Sequence, residues 1–271
     1  PSWGLAPETR AALLDAARRM AASVSYQSLG TFEFLLDDKT GAFSFIEANP
    51  RLQVEHTVTE CVTGLDLVQI QLRIAAGETL ASMELEESPA SRGHAIQLRI
   101  NTEKMTDKGT ALPAGGTLSE FTAPTGPGVR VDSHAYAGYK TSPNYDSLLA
   151  KVIVHSPRDY AAATAKACRA LDELTIEGVK TNASFLNALL RDDEVRANQI
   201  TTAYIADNAA RLNASLVERE ATSADATRAG AKVDAADPLA VLKHGVAGAV
   251  APSPSTETPM EGAIAAPIQG T

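Results

Sequence analysis

Cysteine is scarce in this sequence, and long apolar runs are missing from it. The two cysteines among 271 residues, Cys61 and Cys168, are too few for a disulfide framework and lack the spacing of metal ligands. No run approaches the roughly 18 to 20 apolar residues of a membrane span, and no signal-peptide pattern is present. A net charge of −9 argues against general affinity for nucleic acid or anionic lipid. These absences predict a cytoplasmic protein with no nucleic-acid or membrane partner.

The composition is that of an ordinary globular protein. Hydrophobic residues make up 44% and charged residues 21% of the chain, which suffices for one large domain or two smaller ones. The chain opens at Pro1 rather than at a methionine and stops abruptly at Thr271. We therefore expect both ends to be cuts.

Sequence periodicity predicts an α+β fold. In the first part it indicates a helix over residues 7–24, strands over 31–36 and 42–48, and helices over 57–64 and 67–76. Thr57 and Glu60 have capping-box spacing for a short helix that ends near Gly64, and Asp66 is expected to start the next helix. An antiparallel sheet domain follows, with strands over 95–100, 116–121, 129–132 and 148–154 and helices over 158–174 and 182–190. After Leu212 the sequence is rich in Ala, Ser, Thr and Asp, a composition typical of a linker.

Two glutamates of the predicted hairpin share one face. A five-residue loop over residues 37–41 would place Leu36 opposite Ala42. Glu33 and Glu47 then become diagonal cross-strand neighbours, roughly 7–8 Å apart. Two carboxylates this close repel each other and are costly to desolvate. A hard divalent cation removes that cost, and Mg²⁺ prefers a few carboxylates completed by phosphate oxygens and water.

The polar pattern continues beyond the hairpin. If residues 47–55 stay extended, period-two alternation projects Glu47, Asn49, Arg51, Gln53 and Glu55 to one side. That set suits metal ligation, a bound oxyanion and a proton acceptor. The pattern alone also fits a solvated polar face of an edge strand, marked by a proline.

A longer stretch around these residues resembles a known family. Residues 45–60, Phe-Ile-Glu-Ala-Asn-Pro-Arg-Leu-Gln-Val-Glu-His-Thr-Val-Thr-Glu, closely resemble the signature of the biotin carboxylase family, part of the ATP-grasp superfamily. Three further stretches agree in the same order: residues 30–35, residues 93–101, and residues 136–139 with 144–147. The resemblance covers about residues 1–212 and favours a functional site over a solvated edge strand.

The resemblance implies a domain order. Residues 1–84 correspond to the C-terminal part of an ATP-grasp domain, and residues 85–212 to the antiparallel-sheet C-terminal domain of a biotin carboxylase. An Ala/Ser/Pro-rich linker over residues 213–258 would follow. Residues 259–271 resemble the first strand of a truncated biotinyl carrier domain, with further linker as the alternative.

The resemblance also implies how the nucleotide and the metal are held. Glu33, Glu47 and Asn49 match the positions that bind Mg²⁺ or Mn²⁺. The two glutamates, with Leu35 as an apolar wall, would also contact ATP. In such a site the metal ions hold the phosphates in line for phosphoryl transfer.

The adjoining positions match those that handle bicarbonate. Arg51, Gln53 and the backbone of Val54 would hold it, because a guanidinium fork suits a planar oxyanion. Glu55 matches the general base that deprotonates bicarbonate for attack on the γ-phosphate of ATP. The product, carboxyphosphate, breaks down to CO₂ and phosphate, and the phosphate deprotonates biotin.

A second group of positions would act on biotin itself. Arg99 matches the cation that stabilises the enolate-like oxygen of biotin, and Arg51 is the other catalytic cation. Asp146 either orients Arg99 or is a plain turn aspartate. His56 is expected to form structural hydrogen bonds.

The whole protein is less well defined. The upstream lid and the biotin-accepting lysine are not among these residues, so the resemblance implies a fragment that is inactive alone. Expected partners are ATP, bicarbonate, a biotinyl carrier domain, a carboxyltransferase and further copies in an oligomer. The short gap before the biotinyl-like residues favours an acyl-CoA carboxylase. Pyruvate or urea carboxylase, another ATP-grasp carboxylating ligase, and a remnant that only docks partner subunits remain alternatives.

Overall fold

The computed structural model describes residues 5–37, 39–142 and 144–225, and these confirm the α+β class. The helices are α1 Pro7–Ser23, α2 His56–Thr63, α3 Leu67–Ala75, α4 Tyr160–Glu173, α5 Ala183–Arg191, α6 Asp193–Arg196 and α7 Tyr204–Asp225. The strands are β1 Thr31–Leu36, β2 Phe43–Asn49, β3 His94–Asn101, β4 Glu103–Met105, β5 Ala111–Pro113, β6 Glu120–Thr122, β7 Val129–Ser133, β8 Leu148–Ser156 and β9 Thr175–Glu177.

The last helix extends beyond the expected start of the linker. Helix α7 continues past Leu212 to Asp225, so the first residues of the linker predicted over 213–258 are helical. The rest of that segment, from residue 226, and the biotinyl-like strand predicted over 259–271 lie outside the described residues. None of the helices in the described ranges has the length and apolar character needed to cross a bilayer.

The centre of the fold is a three-stranded antiparallel sheet in the order β3-β8-β7. Helix α4 covers one face, where its buried alanines allow close approach to the apolar side chains of Leu98, Ile100, Val152 and Val154. Strand alternation sends the odd-numbered residues of β3 and β8 to the opposite face. There Gln97 accepts a hydrogen bond from Thr57 of α2. This second face, which carries Gln97, Arg99 and Lys151, positions the candidate site.

The hairpin register differs from the predicted one in two places. Asp37 N–H donates to the carbonyl of Ala42 at 2.8 Å, so the loop holds four residues rather than five and Leu36 lies opposite Phe43. A second shift falls between Glu33 and Phe34, where β2 contains one extra residue in the manner of a β-bulge. Together the two shifts leave Glu33 and Glu47 on the same face, as predicted. The two residues lie directly opposite each other rather than diagonally.

The extended conformation predicted over residues 47–55 is wrong beyond Asn49. Strand β2 ends there, Pro50 follows, and Arg51 N–H donates to the carbonyl of Asn49 in a tight turn. Helix α2 begins at His56 with Glu55 as its N-cap, and no capping box forms. The segment therefore turns back toward the sheet instead of presenting five side chains along one line.

Candidate active site

The two hairpin glutamates are joined by an amide. Asn49 Nδ2 donates to Oε1 of Glu33 and to Oε1 of Glu47, at 2.9 Å in each case. Gln53 Nε2 donates to the same oxygen of Glu33 at 3.2 Å. Among the described residues, no basic side chain pairs with either carboxylate. In the part of the chain that the structure describes, the two carboxyl groups are therefore held by amide donors alone.

This donor set fits a hard divalent cation whose coordination is completed from outside the protein. In the described ranges no three His, Cys, Asp or Glu side chains converge as a metal cage. Glu33 and Glu47 supply two carboxylates, and Asn49 holds both. Mg²⁺ prefers this arrangement, because it keeps waters and takes phosphate oxygens alongside one or two carboxylates.

The turn after the hairpin, residues 50–55, presents a cation and an acid to solvent. The guanidinium of Arg51 is exposed, and its contact within the protein is the carbonyl of Leu52 at 3.4 Å. Glu55 is exposed at the start of α2, and no described side chain bonds to its carboxylate. His56 has the structural role expected for it, because its Nδ1 lies 2.7 Å from the carbonyl of Gln53.

Gln53 also holds an acceptor that the protein leaves unused. Its Oε1 is buried and has no hydrogen-bond partner among the described residues. A buried acceptor without a donor is costly, at about 1–3 kcal/mol.

Arg99 opens onto a separate cavity that reaches the same turn. The cavity has a volume of about 520 Å³, and its walls include Val54, Arg99, Tyr139, Tyr145, Asp146 and Leu148. Val54 follows Gln53 directly, so the cavity and the carboxylate cluster meet at this turn. The structure thus places Arg99 in one cavity with Val54, one of the residues predicted to hold bicarbonate.

The sequence leaves two roles open for Asp146, and the described residues show no hydrogen bond or ion pair between it and Arg99. Both residues line the cavity, but the Asp146 carboxylate accepts from the N–H of Leu148 at 2.8 Å. That contact is typical of a turn aspartate. Leu35, the predicted adenine wall, lies opposite Ser44 and is 62% exposed, so no described residue covers it.

Sequence analysis missed Lys151, which lies beside this site. Its Nζ donates to the carbonyl of Val54 at 3.3 Å and pairs with Asp132 at 3.2 Å. Arg130 joins Asp132 to Glu60 of α2, with contacts of 2.8 and 2.6 Å. The signal in the sequence was a lone charged residue inside the apolar run 148–154.

Ion pairing lowers the pKa of one acid in this network, Asp132. Burial alone would raise the pKa of Asp132, but the hydrogen bonds from Arg130 and Lys151 outweigh it and hold the pKa below its ordinary value. The carboxylate is therefore charged at neutral pH. Its ion pairs link β7 and β8 to α2 and to the turn.

Two family models match this chain. The model for the carbamoyl-phosphate synthase L chain, ATP binding domain, matches residues 1–83. The model for the biotin carboxylase C-terminal domain matches residues 97–207. The second match favours a biotin carboxylase over other ATP-grasp ligases.

Similar proteins also support a biotin carboxylase. The biotin carboxylase of Pseudomonas aeruginosa is 45% identical over 192 residues, which are 71% of this chain and 41% of that enzyme. A single-chain, multi-domain long-chain acyl-CoA carboxylase superposes with a TM-score of 0.75 at 44% identity, over 79% of this chain and 23% of its own.

A second similar structure contains ligands. The biotin carboxylase domain dimer of the Hydrogenobacter thermophilus 2-oxoglutarate carboxylase, in complex with MgADP, ADP and bicarbonate, superposes with a TM-score of 0.71 at 39% identity. The match covers 78% of this chain and 46% of that one. With the motif, the site and both domain matches in place, the chain belongs to the biotin carboxylase family. It spans less than half the length of these relatives.

Proposed function

We propose that this chain carries the metal- and bicarbonate-facing part of a biotin carboxylase, an ATP-dependent ligase that carboxylates biotin through carboxyphosphate. The observation that supports the proposal is that the carboxylate cluster and the Arg99 cavity meet at the turn formed by residues 50–55. Gln53 contacts the Glu33–Asn49–Glu47 cluster, and Val54 lines the Arg99 cavity. An ATP site and a biotin site separated by one turn suit a reaction that passes CO₂ between them.

The carboxylate cluster would receive the phosphates of ATP. Glu33 and Glu47, held by Asn49, would ligate Mg²⁺ or Mn²⁺, and the bound ion would neutralise the phosphate charge during transfer. Removing the metal with a chelator should therefore abolish ATP cleavage.

The turn would bind and activate bicarbonate. Arg51 has an exposed guanidinium without a carboxylate partner, which suits a planar oxyanion. Gln53, whose amide donates to Glu33 at 3.2 Å, lies at the same turn and would also contact the bound anion. Glu55 would accept the bicarbonate proton while a bicarbonate oxygen attacks the γ-phosphorus of ATP, which gives carboxyphosphate and ADP.

The cavity would then host the ureido ring of biotin. Carboxyphosphate breaks down to CO₂ and phosphate, and that phosphate removes the ureido N–H proton. Negative charge develops on the ureido oxygen, and the guanidinium of Arg99 would stabilise it. The ureido nitrogen then forms its new bond to CO₂.

The decisive experiment replaces the base in an intact biotin carboxylase that contains this chain. Glu55→Gln keeps the volume and the polar contacts but removes proton acceptance, so bicarbonate-dependent ATP cleavage should fall about 10²- to 10⁴-fold. Glu87→Gln, at another exposed glutamate, is the control and should leave the rate unchanged. Unchanged turnover in the Glu55 variant would reject its role as the base.

For the final acceptor we infer an acyl-CoA. The long-chain acyl-CoA carboxylase among the similar structures supports this choice, whereas the 2-oxoglutarate carboxylase shows that the same fold serves a keto acid. A biotinyl carrier domain and a carboxyltransferase would complete the reaction. Carboxyl transfer to acetyl-, propionyl- and long-chain acyl-CoA, compared with pyruvate, 2-oxoglutarate and urea, identifies the acceptor.

A further inference from the structure

Three charged residues form one row across the central sheet. Arg99 of β3 lies directly opposite Lys151 of β8, and Lys151 lies directly opposite Asp132 of β7. Directly opposed residues share a face, with Cβ atoms about 4.5–5.5 Å apart. Lys151 therefore lies between the cation of the proposed biotin site and an acid.

The central lysine is well shielded and has two partners. Its side chain is 13% exposed, and its Nζ contacts Asp132 at 3.2 Å and the carbonyl of Val54 at 3.3 Å. Asp132 is itself fixed by two hydrogen bonds from Arg130, at 2.8 and 3.0 Å. Arg130 reaches Glu60 of α2, whose side chain is 8% exposed. The row is thus anchored to the helix that follows the turn.

We propose that Lys151 is a positioning residue for the carboxylation site, and this inference rests on the function proposed above. Its bond to the carbonyl of Val54 fixes the Val54–Glu55 peptide plane, because the peptide unit is rigid. That plane sets the start of α2, where Glu55 stands. Lys151 therefore holds the proposed base and the bicarbonate turn against β8, whose neighbour β3 carries Arg99.

The same row determines which cation faces the substrate. Two positive charges directly opposite each other on neighbouring strands would repel. Asp132 and the Val54 carbonyl engage the ammonium of Lys151, whereas no described carboxylate pairs with Arg99. Arg99 therefore remains available to an anion in the cavity.

Hydrogen–deuterium exchange on the full 271-residue chain tests the tether without relying on activity. Lys151→Met should raise amide exchange in residues 54–58 about tenfold, while the amides of β3 and the remainder of β8 keep their protection. Lys151→Arg retains a donor and should restore most of it. Lys104→Met, at an exposed lysine of β4, is the control. Unchanged exchange at the turn, or a uniform rise across the sheet, would overturn the positioning role.

A kinetic measurement links the tether to chemistry. In an intact biotin carboxylase that contains this chain, Lys151→Met should raise KM for bicarbonate roughly 10- to 100-fold, while KM for ATP changes little and Lys151→Arg recovers much of the loss. An unmodified enzyme without bicarbonate-dependent ATP cleavage would refute the proposed function and leave the exchange result standing. If the unmodified enzyme is active and Lys151→Met has the same KM for bicarbonate as Lys104→Met, the positioning role alone would be refuted.

Discussion

At the scale of single residues, Asn49 determines how two acids coexist on one hairpin. Carboxylates directly opposite each other on neighbouring strands repel. The Asn49 amide donates one hydrogen bond to each of them. The contact aligns Oε1 of Glu33 with Oε1 of Glu47, which is the arrangement a shared cation needs.

Asn49→Ala should therefore weaken Mn²⁺ binding. Without the amide, the two carboxylates separate, and the loss of such an orienting partner typically lowers metal affinity about 10- to 100-fold. Titration of the chain with Mn²⁺, followed by electron paramagnetic resonance, measures the change. Gln199→Ala removes an exposed amide far from the hairpin in sequence and should leave the affinity unchanged. Equal affinity in both variants would contradict the role given to Asn49.

Sequence alone could predict that Glu33 and Glu47 share a face but not why. The prediction assumed a regular hairpin, whereas the loop is one residue shorter and β2 bulges between its partners for Glu33 and Phe34. Each shift by itself would have put the two acids on opposite faces. The bulge leaves no periodic signal. The side-chain partner of Asp146 was equally hidden, because local turn contacts and longer-range pairs look alike in a sequence.

At the scale of elements, the single-residue helix signals were reliable, whereas the two-residue capping box of α2 was not. Gly64 ends α2 in the left-handed conformation, and Asp66 caps α3 by accepting from Gln69 N–H, both as predicted. The predicted capping box of α2 fails because tertiary contacts claim both of its side chains. Thr57 donates to Gln97, and Glu60 accepts from Leu67 N–H and Arg130.

The turn at Gly178 should be intolerant of a side chain. Its φ is +89°, and an added Cβ would meet the carbonyl oxygen of Thr117 at 2.1 Å. This turn follows β9 directly. The N–H of Ser119, the residue before β6, donates to the carbonyl of Glu177. We expect Gly178→Ala to lower the free energy of unfolding by about 2–4 kcal/mol, as strain and clash combine.

A second glycine distinguishes backbone strain from steric clash. Gly138 also has a positive φ, +93°, but an added Cβ there would meet nothing within 4 Å. Gly138→Ala should therefore cost only the conformational penalty, about 1–2 kcal/mol. Urea denaturation of both variants, followed by circular dichroism, gives the comparison. Equal losses would show that the contact with Thr117 is not the cause.

At the scale of the whole molecule, the two regions matched by different family models are joined through charge. The described residues up to Glu220 form one compact unit. Within it, Glu60 of the first region pairs with Arg130 of the second, and Lys151 reaches back to the carbonyl of Val54. The sequence predicted both regions but not these contacts, which form the joint between them. The contacting residues are about seventy or more residues apart along the chain, and no local pattern encodes their pairing.

The ion pairs of this joint should make the free energy of unfolding depend on pH. The pKa of Asp132 lies below its ordinary value of 3.8: burial opposes the shift, but hydrogen bonds from Arg130 and Lys151 prevail. A carboxylate with a lowered folded-state pKa binds fewer protons when folded than when unfolded. Its stabilising contribution is therefore complete above the unfolded-state pKa and is lost as pH falls through the lower folded-state value.

Asp132→Asn should consequently destabilise the chain at pH 7 by about 1–3 kcal/mol, the range for hydrogen bonds to a charged group. The difference from the unmodified chain should shrink below about pH 4 and be nearly gone at the acid limit of folding, because the native carboxyl is then protonated as well. Urea unfolding between pH 7 and pH 3 measures it. Asp207→Asn, at an exposed aspartate of α7, is the control. A loss in Asp132→Asn that stayed constant across this range would mean that the residue stabilises the joint by packing rather than by charge.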